Sequence, residues 1–421
     1  MGENFSSGMS DRFLSRVRWG RSERWAAWAA GLAVTIGALV AACSAAAGPS
    51  TRGPFVYVAD SKVDEISQFE ASTSGALRPL KPAQVPSGAL PYGIAVNTEG
   101  TSVYAVDAGA TGQSANQISQ YTVNRNTGRL RPKSPATVPG GRGGQSIVIS
   151  PNGKNAYVNG NHKVWQYTIN PNSGALRPMS PATVVGGVNQ TAIALTPNDK
   201  YLYVATCPGC GYTGGERSSS RAKSSASAST STTKSAIGEY RVNPRTGALS
   251  TKPFGIVTIA SAPQWMAIAP NGRSAYLAAP GGGRGGPRSG AVEQYNINQT
   301  TGKLTPKSPA TAAVGFDPHD VVIAPNGKNA YVITNDNSKI SQYPINQHTG
   351  TLSRQPDSSA TTVPVPEAIA LAANGRSAYV TSEGANRLSQ FAINPTTGKI
   401  APMTPATLKT ARGALGVAVT P

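Results

Sequence analysis

The chain has 421 residues and carries 38 Lys+Arg against 19 Asp+Glu, a formal net charge of +19. Its 3 Cys and 3 His leave no second ligand pair to complete a zinc site beside the CxxC at Cys207 and Cys210. The excess of base suits anionic surfaces in general, but it is spread one or two cations per repeat, as at Lys154, Arg273, Lys328 and Arg376. With no groove of interleaved aromatics, this pattern reads as a solvated surface, and no nucleic-acid partner is expected.

The first 42 residues differ from the rest. Arg12, Arg16, Arg18, Arg21 and Arg24 precede an apolar run from Trp25 to Ala42, which ends in Val40-Ala41-Ala42-Cys43. Residues 1–42 therefore read as a lipoprotein-type signal peptide, with Cys43 lipidated and residues 43–52 as an Ala/Gly/Ser/Thr tether. An uncleaved anchor helix is the alternative, because the run just reaches spanning length. Either reading places the remainder outside the cytoplasm and tied to a membrane.

From Phe55 onward one phrase recurs. An apolar stretch ends in a turn such as Pro151-Asn152-Gly153, followed by Ala156-Tyr157-Val158, then Trp165-Gln166-Tyr167, then a Gly174-Ala175-Leu176 corner and a Pro-rich piece. Asn-Gly between two β-branched or aromatic runs is a hairpin signal, since both residues tolerate positive φ. The corner glycine recurs at Gly75, Gly128, Gly174, Gly247, Gly302, Gly350 and Gly398, at intervals of 46 to 73 residues. A period in the mid-forties with four strand-like pieces is the signature of a β-propeller blade. The first repeat lacks its apolar stretch, and the chain ends in an unpartnered one, Leu415-Gly416-Val417-Ala418-Val419. The expected fold is all-β: residues 53–421 form a seven-bladed propeller of four-stranded antiparallel blades, closed by the C-terminal strand joining the N-terminal blade.

Three insertions interrupt the repeats, at 108–116, at 280–290 and at 211–236; the last is a Ser/Ala/Thr tract expected to be disordered. Cys207 and Cys210 are read as a local disulfide at the base of that tract. All three insertions fall between the second and third pieces of their repeats, which in a meandering blade puts them on the same face as the loops leading into each first strand. The start of each first strand then points into one mouth of the central channel. Those positions are Tyr92, Gln145, Thr191, Gln264, His319, Glu367 and, by extrapolation, Leu415, with Gln190 and Asp320 beside them. His319 and Glu367 fall on adjacent blades, an imidazole and a carboxylate suited to acid/base work. Arg142 and Arg412 sit on loops leading into first strands, where a guanidinium suits a carboxylate or an oxyanion. Channel-mouth residues that are merely solvated are the alternative.

The Pro-Asn-Gly turns followed by Ala-Tyr-Val, the Ser-Gln-Tyr strands and the Thr-Gly-x-Leu corners, together with Asp317-Pro318-His319-Asp320-Val321, give residues 53–421 a resemblance to the seven-bladed lactonase propellers. That group includes propeller-type 6-phosphogluconolactonases, muconate lactonising enzymes and surface proteins built of YVTN repeats. Two readings of function follow. The favoured one is a membrane-tethered binding or scaffold propeller, using its loop-bearing face on an anionic envelope polymer or a protein. The alternative, implied by the resemblance, is a hydrolase of a small lactone, with His319 or Glu367 as base and Arg142 or Arg412 at the oxyanion. A monomer is expected and no cofactor; a divalent metal on His319, Asp320 and Glu367 is the weaker option.

Overall fold

The computed structural model describes residues 53–109, 116–140, 143–208, 210, 234–280 and 289–421. Within them the chain forms seven sheets, each of four antiparallel strands. Blade 1 combines Ala414–Val419 with Phe55–Asp60, Glu65–Ala71 and Leu77–Pro86. The other six are continuous in sequence, with inner strands Pro91–Val96, Ile147–Ile149, Gln190–Leu195, Trp265–Ile268, Pro318–Ile323 and Pro366–Leu371 for blades 2 to 7. Inner strands of neighbouring blades touch all the way round, and blade 7 meets the C-terminal strand of blade 1. Residues 53–421 thus supply every strand of a closed ring.

Second strands are buried along their whole length, as in Phe55–Asp60, Ser274–Ala279 and Ser377–Ser382, because each blade is sandwiched between two others. Their sequences are accordingly near-continuous apolar runs. The core is correspondingly a set of layers between blades. Tyr203 and Ile237 of blade 4 pack on Met266 and Leu277 of blade 5, and the last layer sets Val56 and Phe69 of blade 1 against Tyr379 and Leu388 of blade 7. Outer strands such as Leu130–Pro139 and Ile400–Lys409 carry the prolines, where a missing N–H faces solvent.

The tyrosine of each second strand ties its blade to the next. Tyr57, Tyr104, Tyr157, Tyr203, Tyr276, Tyr331 and Tyr379 donate to the carbonyls of Gly128, Gly174, Gly247, Gly302, Gly350, Gly398 and Gly75 in turn. The third-strand glutamine works beside it. Gln68, Gln120, Gln166, Gln294 and Gln390 accept the amide N–H of Leu130, Leu176, Leu249, Leu352 and Leu77 in the next corner. In blade 4 Glu239 takes this place and accepts from Leu304.

Two boundaries differ from the sequence reading. The Ser-rich insertion does not reach residue 236, because Ala236 opens the strand Ala236–Arg241 and pairs with Thr206. Likewise Gly290 lies inside the strand Ser289–Ile297, paired with Gly315. Alternation alone did not mark these starts, since Ser, Ala and Gly are small whether in loop or strand. Residues 1–42, whose sequence reads as a signal segment, residues 43–52, read as a tether, and Cys43 with them lie outside the described residues.

Candidate active site at the channel mouth

Each blade runs inner strand, turn, second strand, loop, third strand, corner, outer strand, so strand alternation puts lead-in loops and second-to-third loops on one face. Backbone bonds between them fix this arrangement: Ala108 N to Leu90 O, Cys207 N to Asn189 O, Asn335 N to Asp317 O and Ser61 N to Gly413 O, at 2.8–3.0 Å. At six of the seven lead-ins the residue two before the inner-strand site is left-handed: Leu90, Gly143, Asn189, Asp317, Val365 and Gly413. The kink turns the following side chain toward the axis. Asn, Asp and Gly tolerate it, whereas a β-branched Val365 at φ 56° is strained.

Tyr92, Gln145, Thr191, Gln264, His319, Glu367 and Leu415 all line one cavity on the axis, joined by Trp265, Ala368 and Gly416. The cavity measures about 20 Å³, the size that holds a water. Two glycines set how close the inner strands come. A Cβ on Gly416 would lie 2.3 Å from the Tyr92 carbonyl oxygen, and one on Gly93 2.4 Å from that of Gln145.

His319 and Glu367 meet across blades 6 and 7. Nε2 of His319 is 3.4 Å from Oε2 of Glu367, and each side chain is 5% exposed. Nδ1 of His319 lies 2.6 Å from the backbone carbonyl oxygen of Glu367. A carbonyl only accepts, so Nδ1 carries a proton, and in the neutral ring Nε2 holds the lone pair facing the carboxylate. Two neighbours hold the pair in register. Asp320 Oδ2 accepts from the backbone N–H of Ile369 at 3.0 Å, joining the two inner strands. Thr381 accepts from Ala368 N–H at 3.1 Å and donates to the carbonyl of Leu415, joining blade 7 to blade 1. Burial pushes the Asp320 carboxyl up to about 8, against the pull of the Ile369 and Val321 amides.

The remaining candidates lie elsewhere. Asp320 sits behind the cavity, turned to the backbone of blade 7. Gln190 is buried between the second-to-third loop of blade 3 and the loop leading into blade 4, accepting from Gly160 N–H and donating to Gly187 O. Arg412 is exposed on the lead-in loop of blade 1, its carbonyl accepting from Lys62 N–H, and is not among the lining residues. Arg142 lies outside the described residues. Cys207 and Cys210 form a disulfide, with Asn189 Nδ2 bonded to the carbonyl of Cys210 at 3.0 Å. Among the described residues no group of three or more His, Cys, Asp and Glu is placed to hold a metal ion.

Sequence reasoning passed over Trp265, Ala368 and Gly416, each immediately after a predicted lining residue; at these strand starts two successive residues reach the cavity. It also missed the positioning hydroxyl of Thr381, at a place where five other blades carry Ala, Val or Ile and blade 3 carries Asn159, which likewise accepts from Ser146 N–H and donates to the carbonyl of Gln190.

The sequence pattern of the family described as "Lactonase, 7-bladed beta-propeller" matches residues 94–207 and 288–412, together more than half of the chain. Among solved structures, a candidate 6-phosphogluconolactonase from Bacteroides uniformis superposes with a TM-score of 0.67 at 17% identity, over 88% of this chain and 100% of its own. One from Bacteroides fragilis gives 0.66 at 17%, over 89% and 100%. The periplasmic gluconolactonase PpgL of Pseudomonas aeruginosa gives 0.63 at 15%, over 87% and 99%. At such identities the likeness concerns the fold. A search of curated protein sequences found no match.

Proposed function

Because the chain belongs to the seven-bladed β-propeller lactonase family, we propose that it hydrolyses a lactone at the channel mouth, with His319 and Glu367 as the reacting pair. The observation that carries this reading is the close approach of their side chains, from adjacent inner strands, beside a water-sized cavity. His319 Nε2 takes a proton from water as the water oxygen bonds to the lactone carbonyl carbon. Glu367 Oε2, beside the same nitrogen, stabilises the imidazolium. The proton then passes to the ring oxygen as the acyl C–O bond breaks, leaving a hydroxy acid. Half-buried Gln145 and Gln264, with Tyr92 and Thr191, present hydroxyl and amide groups to a polyhydroxylated ring. Arg412 remains the candidate for a carboxylate or oxyanion nearby.

An unphosphorylated sugar lactone is the substrate class. Its support is the export reading of residues 1–43, which puts the protein outside the cytoplasm and membrane-anchored, and the periplasmic gluconolactonase among its structural neighbours. Purified protein should open gluconolactone faster than buffer does, with His319→Ala and Glu367→Gln each lowering the rate by about 10²–10⁴-fold. Rates equal to buffer, or both variants at wild-type turnover, would sink the proposal.

A binding role for the loop-bearing face is the second reading, supported by a cavity far smaller than the roughly 300–1,000 Å³ of ordinary ligand pockets. Its test is deletion of residues 211–235, which should abolish capture of an envelope polymer or protein partner while leaving gluconolactone turnover as it was.

A further inference from the structure

The face opposite the candidate site carries the turns between first and second strands and the corners between third and fourth. On five consecutive blades, 3 to 7, the turn presents one exposed cation: Lys154, Lys200, Arg273, Lys328 and Arg376. The corners add exposed bases, among them Arg125, Arg129 and Arg245. Against them stand the acids Glu99 and Asp199, with Glu70 at the corner of blade 1 paired to Arg78. Asp199 Oδ2 is already engaged with Asn152 N–H. Among the described residues none of the five turn cations makes an ion pair. The turns are mutually braced: Gln299 and Gln347 at the corners of blades 5 and 6 donate to the carbonyls of Gly272 and Gly327 in the turns of the same blades. Positive charge therefore rings one rigid end of the disc, while the other end mixes the acids Asp64, Asp317, Asp336 and Glu383 with the exposed bases Lys62, Lys163, Lys339, Lys409 and Arg412.

A second observation points the same way. The first described residues are on this basic face. Pro54 O accepts from Ala71 N–H, and a Cβ on Gly53 would collide with the carbonyls of Ala71 and Ser72, at the corner of blade 1. The segment whose sequence reads as membrane-directing thus joins the propeller on the cationic side.

We propose that this turn-and-corner face lies against an anionic phospholipid surface, with the candidate active site turned away from it. A ring of cations on a disc end matches a plane of headgroups, where each adds to attraction within a Debye length. It is not the groove with stacking aromatics that a nucleic-acid strand requires.

The test uses residues 53–421, which contain all seven blades, so that the preceding segment contributes nothing. This protein should sediment with phosphatidylglycerol–phosphatidylcholine vesicles at low salt, stay in solution with phosphatidylcholine alone, and be released by high salt. Arg273→Glu/Lys328→Glu/Arg376→Glu should lower the partition coefficient at least about tenfold. Lys163→Glu/Lys339→Glu/Lys409→Glu, the same charge change on the loop-bearing side, should leave it within about twofold of wild type. Equal losses in the two triples would reduce the effect to net charge and overturn the assignment. So would absence of vesicle binding, with or without capture by double-stranded DNA.

Discussion

Asp60 and Asp107 end the second strands of blades 1 and 2, fully buried, and each works through a serine on its neighbouring strand. Asp60 Oδ2 accepts from Ser67 N–H, and Ser67 Oγ accepts from Ala411 N–H in the loop leading into blade 1. Asp107 Oδ2 accepts from Ser119 Oγ, which accepts from Gly88 N–H in the loop leading into blade 2. Burial raises both carboxyls from 3.8 to about 7, with the serine bonds opposing it. The folded state therefore holds protons that the unfolded chain has released once the pH exceeds about 4. Stability from these groups is complete below that pH and is lost as the pH rises through about 7, the reverse of a salt-bridged carboxylate. Melting of the wild type from about pH 5 to about pH 8 should show a falling Tm, and Asp60→Asn/Asp107→Asn should make the fall shallower. An unchanged slope would mean that the two carboxyls are ionised in the fold. Nothing in the local sequence announces these groups: Asp at the end of an apolar run reads as a loop boundary, and only ring packing buries it.

At the scale of the element, the tyrosine bonds explain why the repeat is so regular where no chemistry is asked of it. Ala-Tyr-Val was legible as a strand, but the partner of each tyrosine lies in the next repeat, at a corner glycine 67 to 99 residues on in the six forward bonds. Pattern within one unit cannot reveal a bond between units. The same limit hid the cationic face, because positions one period apart look dispersed along the chain and converge only once the ring closes. The channel-mouth residues were legible for the converse reason: a fixed offset from each turn selects one place in every blade, whatever residue occupies it. Tyr379, whose hydroxyl donates to Gly75 O at 2.8 Å, makes the bond that spans the ends of the chain. Tyr379→Phe keeps the ring packing and leaves a buried carbonyl without its donor, which should cost about 1–3 kcal/mol in urea unfolding. Wild-type stability in that variant would show that water reaches the carbonyl.

The whole molecule closes because blade 1 is built from both ends of the chain: Val56 pairs with Val419 and Tyr57 with Ala418, and Phe55 N–H donates to the Thr420 hydroxyl. By register with Pro151-Asn152-Gly153, the two ends are one turn residue apart, so Pro421-Asn-Gly53 would rebuild the hairpin found in other blades. A circular permutant with that junction and new ends between Gly88 and Ala89 keeps every strand pairing but makes all seven blades local. Blades 1 and 2 are then held only by packing and by bonds such as Gln68 to Leu130 N–H and Tyr121 to Pro86 O. In the natural order an opening there is resisted also by the covalent chain, and an opening between blades 7 and 1 by the chain running into the Ala414–Val419 strand. The permutant should therefore fold, with the near-UV spectrum of the wild type, and melt several degrees lower, since each kcal/mol lost shifts a large domain by roughly 2–4 °C. Failure to fold would mean that strand sharing is needed to assemble the ring, and an unchanged Tm that packing between blades closes it unaided.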